Sequence, residues 1–270
     1  MPELPEVETT RRGLAPYLEG ATVTGFVVRC ASLRWPIPKD MPLTGQKIDK
    51  LSRRAKYLLI ECVNGTLIVH LGMSGSLRIL PSETPTERHD HFDLLLDNDR
   101  LMRLRDPRRF GAVLWHEGDI NAHPLLANLG PEPAAADEFN ADYLYAASRD
   151  RSVSIKQFIM DSHIVVGVGN IYASEALYRA AIRPQLPAGR LSRARCEMLV
   201  LAIRQTLDEA IRAGGSTLRD FTDAAGNPGY FQHQHWVYDR GGEPCRGCGA
   251  PIVQIKQGQR STFYCRNCQK

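Results

Sequence analysis

Nowhere does this chain contain an apolar run as long as a membrane span, and its opening Met1-Pro2-Glu3-Leu4-Pro5-Glu6 lacks the basic-then-apolar order of a secretory leader. Both absences argue against a membrane partner and lead to the expectation of a cytoplasmic protein. Nor is there an even set of cysteines: the seven are an odd number, and Cys30, Cys62 and Cys196 stand apart from the rest. A disulfide framework is therefore not expected, and a reducing compartment is. No internal repeat is visible. Net charge is small, +4, but unevenly placed. Residues 240–270 carry Arg240, Arg246, Lys256, Arg260, Arg266 and Lys270 against the single acid Glu243, so the remainder sums to −1. A basic tail on a near-neutral body suits a polyanionic partner, although a merely solvated tail explains it equally well.

An apolar share of 43% over 270 residues is enough to build real cores, and the length fits two domains. A helix is expected over 5–18, with Pro5 in the first turn, Val7, Leu14 and Leu18 on one face, and Gly20 as the stop. Gly13 and Pro16 weaken its last turns. Short apolar or alternating runs follow at 23–28, 57–63, 66–71, 76–80, 92–96, 101–104 and 112–115. Asn64-Gly65 signals a hairpin and Asp97-Asn98-Asp99 another turn, so this half reads as an antiparallel sandwich or barrel.

Leu129-Gly130-Pro131-Glu132-Pro133 breaks the pattern, and beyond it the period becomes helical. Ile155, Phe158 and Ile159 recur at helical spacing, Gly167-Val168-Gly169-Asn170 interrupts, and 171–181 resumes. A longer helix over 193–213 turns Cys196, Leu199, Val200, Ile203, Leu207 and Ile211 inward and stops at Gly214-Gly215. Residues 216–230, rich in Gly, Asp, Thr and Asn, read as a loop. The expected domains are 1–133, 134–230 and 231–270.

Three constellations carry chemistry. Cys245-x2-Cys248 and Cys265-x2-Cys268 are separated by sixteen residues, the spacing of a four-cysteine zinc site. The segment 251–264 is long enough for a hairpin that brings the pairs together. Four thiolates leave no open coordination position, so one structural zinc is expected and no organic cofactor; redox-active pairs are the alternative. The turn at Gly167–Asn170 leads into a helix start whose N–H groups suit a phosphate, although taken alone a tight interhelical turn that serves only packing is the default reading. Pro2 would become a secondary amine if Met1 is removed. Such an amine can attack a sugar carbon, and a helix starting beside it disfavours the ammonium form. Glu3 stands next to it to shuttle protons. Without other support, a terminal proline is only a terminus.

The opening Pro2-Glu3-Leu4-Pro5-Glu6-Val7-Glu8 resembles the formamidopyrimidine-DNA glycosylase family. So do Arg53-Arg54-Ala55-Lys56-Tyr57-Leu58, His70-Leu71-Gly72-Met73-Ser74-Gly75, His89-Asp90-His91 and Asp106-Pro107-Arg108-Arg109-Phe110-Gly111. Gly167 to Glu175, Gly229-Tyr230-Phe231 and the cysteine pairs around Gln259-Arg260-Ser261-Thr262-Phe263-Tyr264 continue the likeness over essentially the whole chain, in order. The resemblance implies a multi-domain α+β fold: an N-terminal β-sandwich with flanking helices, then a helical helix–two-turn–helix domain ending in a four-cysteine zinc finger, with DNA in the cleft between. It implies base-excision repair of double-stranded DNA containing oxidised purines, by a bifunctional glycosylase and abasic-site lyase acting as a monomer.

By the same resemblance Pro2 is the Schiff-base nucleophile, Glu3 the proton donor for base release, Lys56 the proton donor for β-elimination, and Arg260 the residue for δ-elimination and phosphate grip. His89, Arg108, Arg151 and Asn170 fall where the family contacts DNA, and Met73, Arg108 and Phe110 match the side chains that fill the hole left by a flipped base. The surroundings of Arg151 match the family poorly. Residues 216–230 correspond to its lesion-covering loop. An endonuclease VIII-like relative acting on oxidised pyrimidines is the nearest rival, and the contexts of Met73, Arg108, Phe110 and Leu4 argue against it. A non-enzymatic zinc-finger DNA-binding protein is the rival from another class.

Overall fold

The computed structural model describes residues 2–216 and 234–270; Met1, most of the expected loop 216–230 and the Gly229-Tyr230-Phe231 motif lie outside the described residues. The chain divides into two compact units, Met1–Ala127 with Ala213–Tyr230, and Asn128–Arg212 with Phe231–Lys270.

In the first unit, helix α1 (Leu4–Leu18) begins one residue earlier than its proline suggests, with Glu3 as an extended N-cap and Pro5 in the first turn. Pro16 sits inside the last turn, and the helix still runs to Leu18. Two antiparallel sheets follow. One orders its strands β1 (Val23–Val28), β6 (Asp90–Leu96), β7 (Arg100–Arg105) and β5 (Ser76–Pro81). The other orders β2 (Ile48–Arg54), β3 (Tyr57–Cys62), β4 (Gly65–His70) and β8 (Ala112–His116). One apolar core draws on both sheets and on α1, with Val7, Leu14 and Leu18 of the helix joining Leu51, Leu58, Leu67, Phe92 and Leu104 of the strands. The expected sandwich is therefore present, each sheet burying one face against the other as its alternation requires.

Strand β2 has no counterpart in the sequence reading. Asp49, Lys50, Ser52, Arg53 and Arg54 make it look like a polar loop, and only Ile48 and Leu51 are buried. Their spacing of three breaks simple alternation because the pairing with β3 shifts register between Ile48 and Lys50. Such an irregularity turns both side chains to the same face.

The second unit is helical: α2 (Ala141–Ser148), α3 (Ile155–Ile159), α4 (Asn170–Arg179) and α5 (Arg193–Arg212). Helix α2, capped by the side chain of Asn140, was not expected. Helix α5 buries Cys196, Leu199, Val200, Ile203 and Leu207 as its period requires, whereas Ile211 is only half-buried. The chain then closes with the hairpin of β9 (Val253–Gln257) and β10 (Arg260–Tyr264), whose Gly258 and Gln259 both take positive φ, +50° and +64°. Two left-handed residues in succession are the signature of the tight turn that matches the twist of a hairpin.

Candidate functional site

At the start of α1, Pro2 and Glu3 are buried, Glu3 to 1% exposure. The Glu3 N–H donates to Glu6 Oε2 at 2.7 Å, and the Ser216 N–H donates to Glu6 Oε1 at 2.8 Å. One buried carboxylate thus fixes the N-cap and the residue just past the Gly214-Gly215 stop. At Gly215 (φ +80°) a Cβ would lie 3.0 Å from Glu6 Oε1, a tight contact added to a backbone conformation that L side chains rarely adopt. The Glu3-x-x-Glu6 spacing is that of a capping box, a signal in the sequence that could have singled out Glu6.

Lys56 occupies the β2–β3 turn beside Ala55, which is held at φ +54°. Arg53 braces this turn by donating from Nη1 to Ala55 O at 2.7 Å, and its Nε reaches Glu8 Oε2 at 3.3 Å. Arg11 bonds Glu8 and also donates to Leu51 O at 3.2 Å, so helix α1 and the Lys56 hairpin are tied by polar contacts as well as by packing. Burial pushes the Glu8 carboxyl up, yet bonds from Arg11 and Arg12 and the charges of Arg11 and Arg53 outweigh it and bring its pKa down to about 2. Next to Lys56, Tyr57 packs on the His70 ring with centroids 4.8 Å apart. Burial, then the charges of Lys56 and Arg34, lower the His70 pKa to about 4, so its Nδ1 stays free to accept the Gly72 N–H at 3.0 Å.

Four further predicted residues lie on turns of the same unit. Met73 is half-buried, in the turn between β4 and β5. Arg108 and Phe110 belong to the turn between β7 and β8, the Arg108 guanidinium lying 5.2 Å from the Phe110 ring centre. Phe110 is 48% exposed, which sets it apart from a core phenylalanine. His89, at φ +79°, precedes β6; partial burial first, then Arg88, His91, Arg105 and Arg109, lower its pKa and favour a neutral ring.

In the second unit the structure brings Asn170 and Arg260 to one cleft of about 240 Å³, lined also by Lys156, Met160, Asp161 and Gln257. Asn170 is the first residue of α4, behind Gly169 as N-cap. Its Nδ2 donates to Ser261 O at 3.0 Å. Lys156, 1% exposed, donates from Nζ to Asn170 Oδ1 (2.7 Å), Thr262 Oγ1 (2.8 Å) and Ser261 O (3.1 Å), locking the α4 start to the strand that begins at Arg260. Sequence reasoning did not single out Lys156; its place inside the apolar Ile155–Ile159 turn was the available signal. Arg151 is exposed and is not among the residues lining the cleft, although its charge acts on Asp161.

The four predicted cysteines converge, with all four sulfurs within 4.8 Å of one another. Cys245 and Cys268 Sγ are 3.9 Å apart, and Cys248 and Cys265 Sγ 3.5 Å. Disulfides would need about 2 Å, whereas four thiolates tetrahedrally around zinc at about 2.3 Å stand about 3.8 Å apart. The donor set therefore fits a structural zinc. Glu175 of α4, 3% exposed, accepts the N–H groups of Trp236 (2.8 Å), Val237 (3.0 Å) and Tyr238 (2.8 Å), anchoring the approach to this centre. Burial raises its pKa against those three bonds.

Comparison with known proteins agrees with this arrangement from end to end. Residues 1–113 match the model of the formamidopyrimidine-DNA glycosylase N-terminal domain, 129–222 that of the formamidopyrimidine-DNA glycosylase H2TH domain, and 242–270 the zinc finger found in FPG and IleRS. A formamidopyrimidine-DNA glycosylase of Thioalkalivibrio sulfidiphilus is 59% identical over 272 residues, covering 100% of both chains. One from Janthinobacterium sp. is 58% identical over 275 residues with the same coverage. A variant of the Lactococcus lactis FPG protein, solved in complex with a Fapy-dG containing DNA, superposes with a TM-score of 0.92 at 32% identity, covering 100% of both chains.

Proposed function

The chain belongs to the formamidopyrimidine-DNA glycosylase family, and from that premise we propose that it removes oxidised purines from duplex DNA through Pro2 and then cuts the abasic site. The lesions are 8-oxoguanine and formamidopyrimidines, the class present in the DNA bound by the Lactococcus lactis relative. The activity is base-excision repair by a bifunctional glycosylase and abasic-site lyase, working as a monomer in the cytoplasm where the chromosome lies.

The observation that carries the residue assignment is the burial of Pro2 and Glu3 together at the positive end of α1. Loss of Met1 leaves Pro2 with a secondary amine. A terminal amine has a pKa near ~7.7–8, and both burial and the helix end disfavour its charged form, so the nitrogen is free to attack at neutral pH. Its lone pair bonds to C1′ as the C1′–N bond to the base breaks, Glu3 supplying the proton the departing base needs; Pro2 then sheds its N–H proton and the C1′–O4′ bond opens, O4′ taking a proton, to leave an iminium. The iminium that results acidifies the C2′ protons. Removal of one expels the 3′ phosphate by β-elimination, and a second elimination expels the 5′ phosphate. Because an amine rather than water attacks, one site performs both activities. Lys56 donates the proton for β-elimination, and its braced turn keeps the ammonium in one place. Arg260 serves δ-elimination and grips phosphate, Asn170 binds phosphate at the start of α4, and His89, Arg108 and Arg151 contact DNA. Met73, Arg108 and Phe110 fill the space of the flipped base; the half-exposed Phe110 ring supplies stacking surface and Arg108 the hydrogen bonds to the orphaned cytosine. Cys245, Cys248, Cys265 and Cys268 would hold a structural zinc, which would fix the hairpin that carries Arg260.

Borohydride reduction in the presence of an 8-oxoguanine:cytosine duplex tests this reading. A covalent protein–DNA adduct is expected, and Pro2→Gly should reduce it at least about a hundredfold, the scale on which an essential catalytic group acts. Absence of any adduct, or a stronger reaction with a thymine glycol duplex, would overturn it.

A further inference from the structure

Asp106 has no exposed surface, and each of its polar atoms is committed to a turn that carries a DNA-facing residue. Its N–H donates to His89 O at 3.0 Å. Its carbonyl accepts the Arg109 N–H at 3.2 Å and lies 2.9 Å from His91 Nε2. Oδ1 accepts the Ser74 hydroxyl at 2.7 Å, and Oδ2 accepts the Gly111 N–H at 2.8 Å. The Ser74 oxygen in turn accepts the Arg108 N–H at 3.1 Å. One side chain thus joins the turn bearing Met73 to the turn bearing Arg108 and Phe110, while its main chain holds the residue His89.

Backbone packing tightens the same joint. Gly72 (φ +62°) lies so close to the neighbouring turn that a Cβ would meet the Phe110 carbonyl carbon at 2.3 Å and Gly111 N at 2.5 Å. Arg109 and His89 both hold left-handed φ, +58° and +79°, a conformation that costs a non-glycine residue about 1 kcal/mol or more unless its surroundings fix it. Phe110 gains little aim from side-chain packing, because half of it faces solvent. Its direction comes from its backbone, and Gly111 beside it is held by Asp106.

We propose that Asp106, acting through Ser74, is the positioning residue that holds Met73, Arg108 and Phe110 as one preset wedge and thereby governs extrusion of the lesion and reading of the base opposite. The inference rests on the glycosylase reading above. A wedge must enter the stack as a unit, since slack between its members would have to be ordered at the moment of binding. Removing either link leaves a buried donor or acceptor without its partner, and the two turns then move independently.

Single-turnover rates separate this role from a merely structural one. Ser74→Ala, Asp106→Asn and Asp106→Ala are compared with the wild-type chain on 8-oxoguanine:cytosine, on 8-oxoguanine:adenine, and on a preformed abasic site, which has no base to extrude. Ser74→Ala should lower the ratio of base excision to abasic-site cleavage about tenfold and narrow the preference for cytosine over adenine. Asp106→Ala should lower the ratio further, and Asp106→Asn, which keeps an acceptor for the Gly111 N–H, should recover part of it. Equal losses on all three substrates, tracking a lower unfolding temperature, would overturn the proposal. If Asp106→Ala does not fold, the Ser74→Ala ratio decides alone. Failure of the wild-type chain to release any oxidised purine would sink the glycosylase reading itself, a result distinct from an unchanged ratio in an active enzyme.

Discussion

Lys56 and Arg260 occupy corresponding places in two differently supported hairpins, each just after a left-handed non-glycine residue, Ala55 in one and Gln259 in the other. Behind the first stands the sandwich core, with α1 and both sheets contributing. Behind the second stands a small cluster of Val237, Cys245, Ile252, Phe263 and Cys265, two of them zinc ligands. Holding a charged tip in place requires a rigid base, and apolar burial supplies one only where enough chain surrounds it. The last thirty or so residues lack that surface, and there the metal takes over the task.

Removing the metal should produce the largest change. Chelation, or Cys248→Ser, is expected to abolish zinc binding, whose free energy is on the order of 10 kcal/mol for structural sites, and with it the fold of the β9–β10 hairpin and DNA affinity. The sandwich should unfold at its former denaturant concentration; a protein that stays folded at its C-terminus without zinc would erase the contrast. A smaller effect is expected from Phe92→Ala, which empties part of the sandwich core and should cost about 3–5 kcal/mol in urea unfolding. Zinc content should not change, and loss of zinc in this variant would mean that the two supports are coupled.

Smaller again is the pH response of the sandwich. His70 takes up a proton near pH 6.5 when unfolded but only near 4 when folded, so the unfolded state binds more protons in between. Stability should therefore fall as pH falls from about 6.5 to 4, by at most about 3 kcal/mol from this group. His70→Gln should flatten that slope, measured by a sandwich probe such as Trp115 fluorescence. An unchanged slope would place the acid sensitivity elsewhere.

The same contrast explains what was legible in the sequence. The zinc centre could be read outright, because ligand type and spacing are local facts. Helix α1 and most strands were legible from their periodicity, whereas β2 was hidden by its register shift and its five polar residues. Turn-borne residues such as Met73 and Phe110 carried no periodic signal. Their sequence contexts pointed to DNA, and only the structure gives their surroundings: Met73 half-buried, Phe110 half-exposed. Asp106, Lys156 and Glu175 were not identified because their importance lies in partners tens of residues away, Ser74 for the first, Ser261 and Thr262 for the second, Trp236 to Tyr238 for the third. No local pattern encodes such pairings.

Glu6 has a consequence of its own for dynamics. Since its two oxygens serve the amides of Glu3 and Ser216, any excursion that swings this carboxylate away breaks these hydrogen bonds of both amides at once. Their deuterium uptake should then share a common opening event, although 213 positions separate them in the chain.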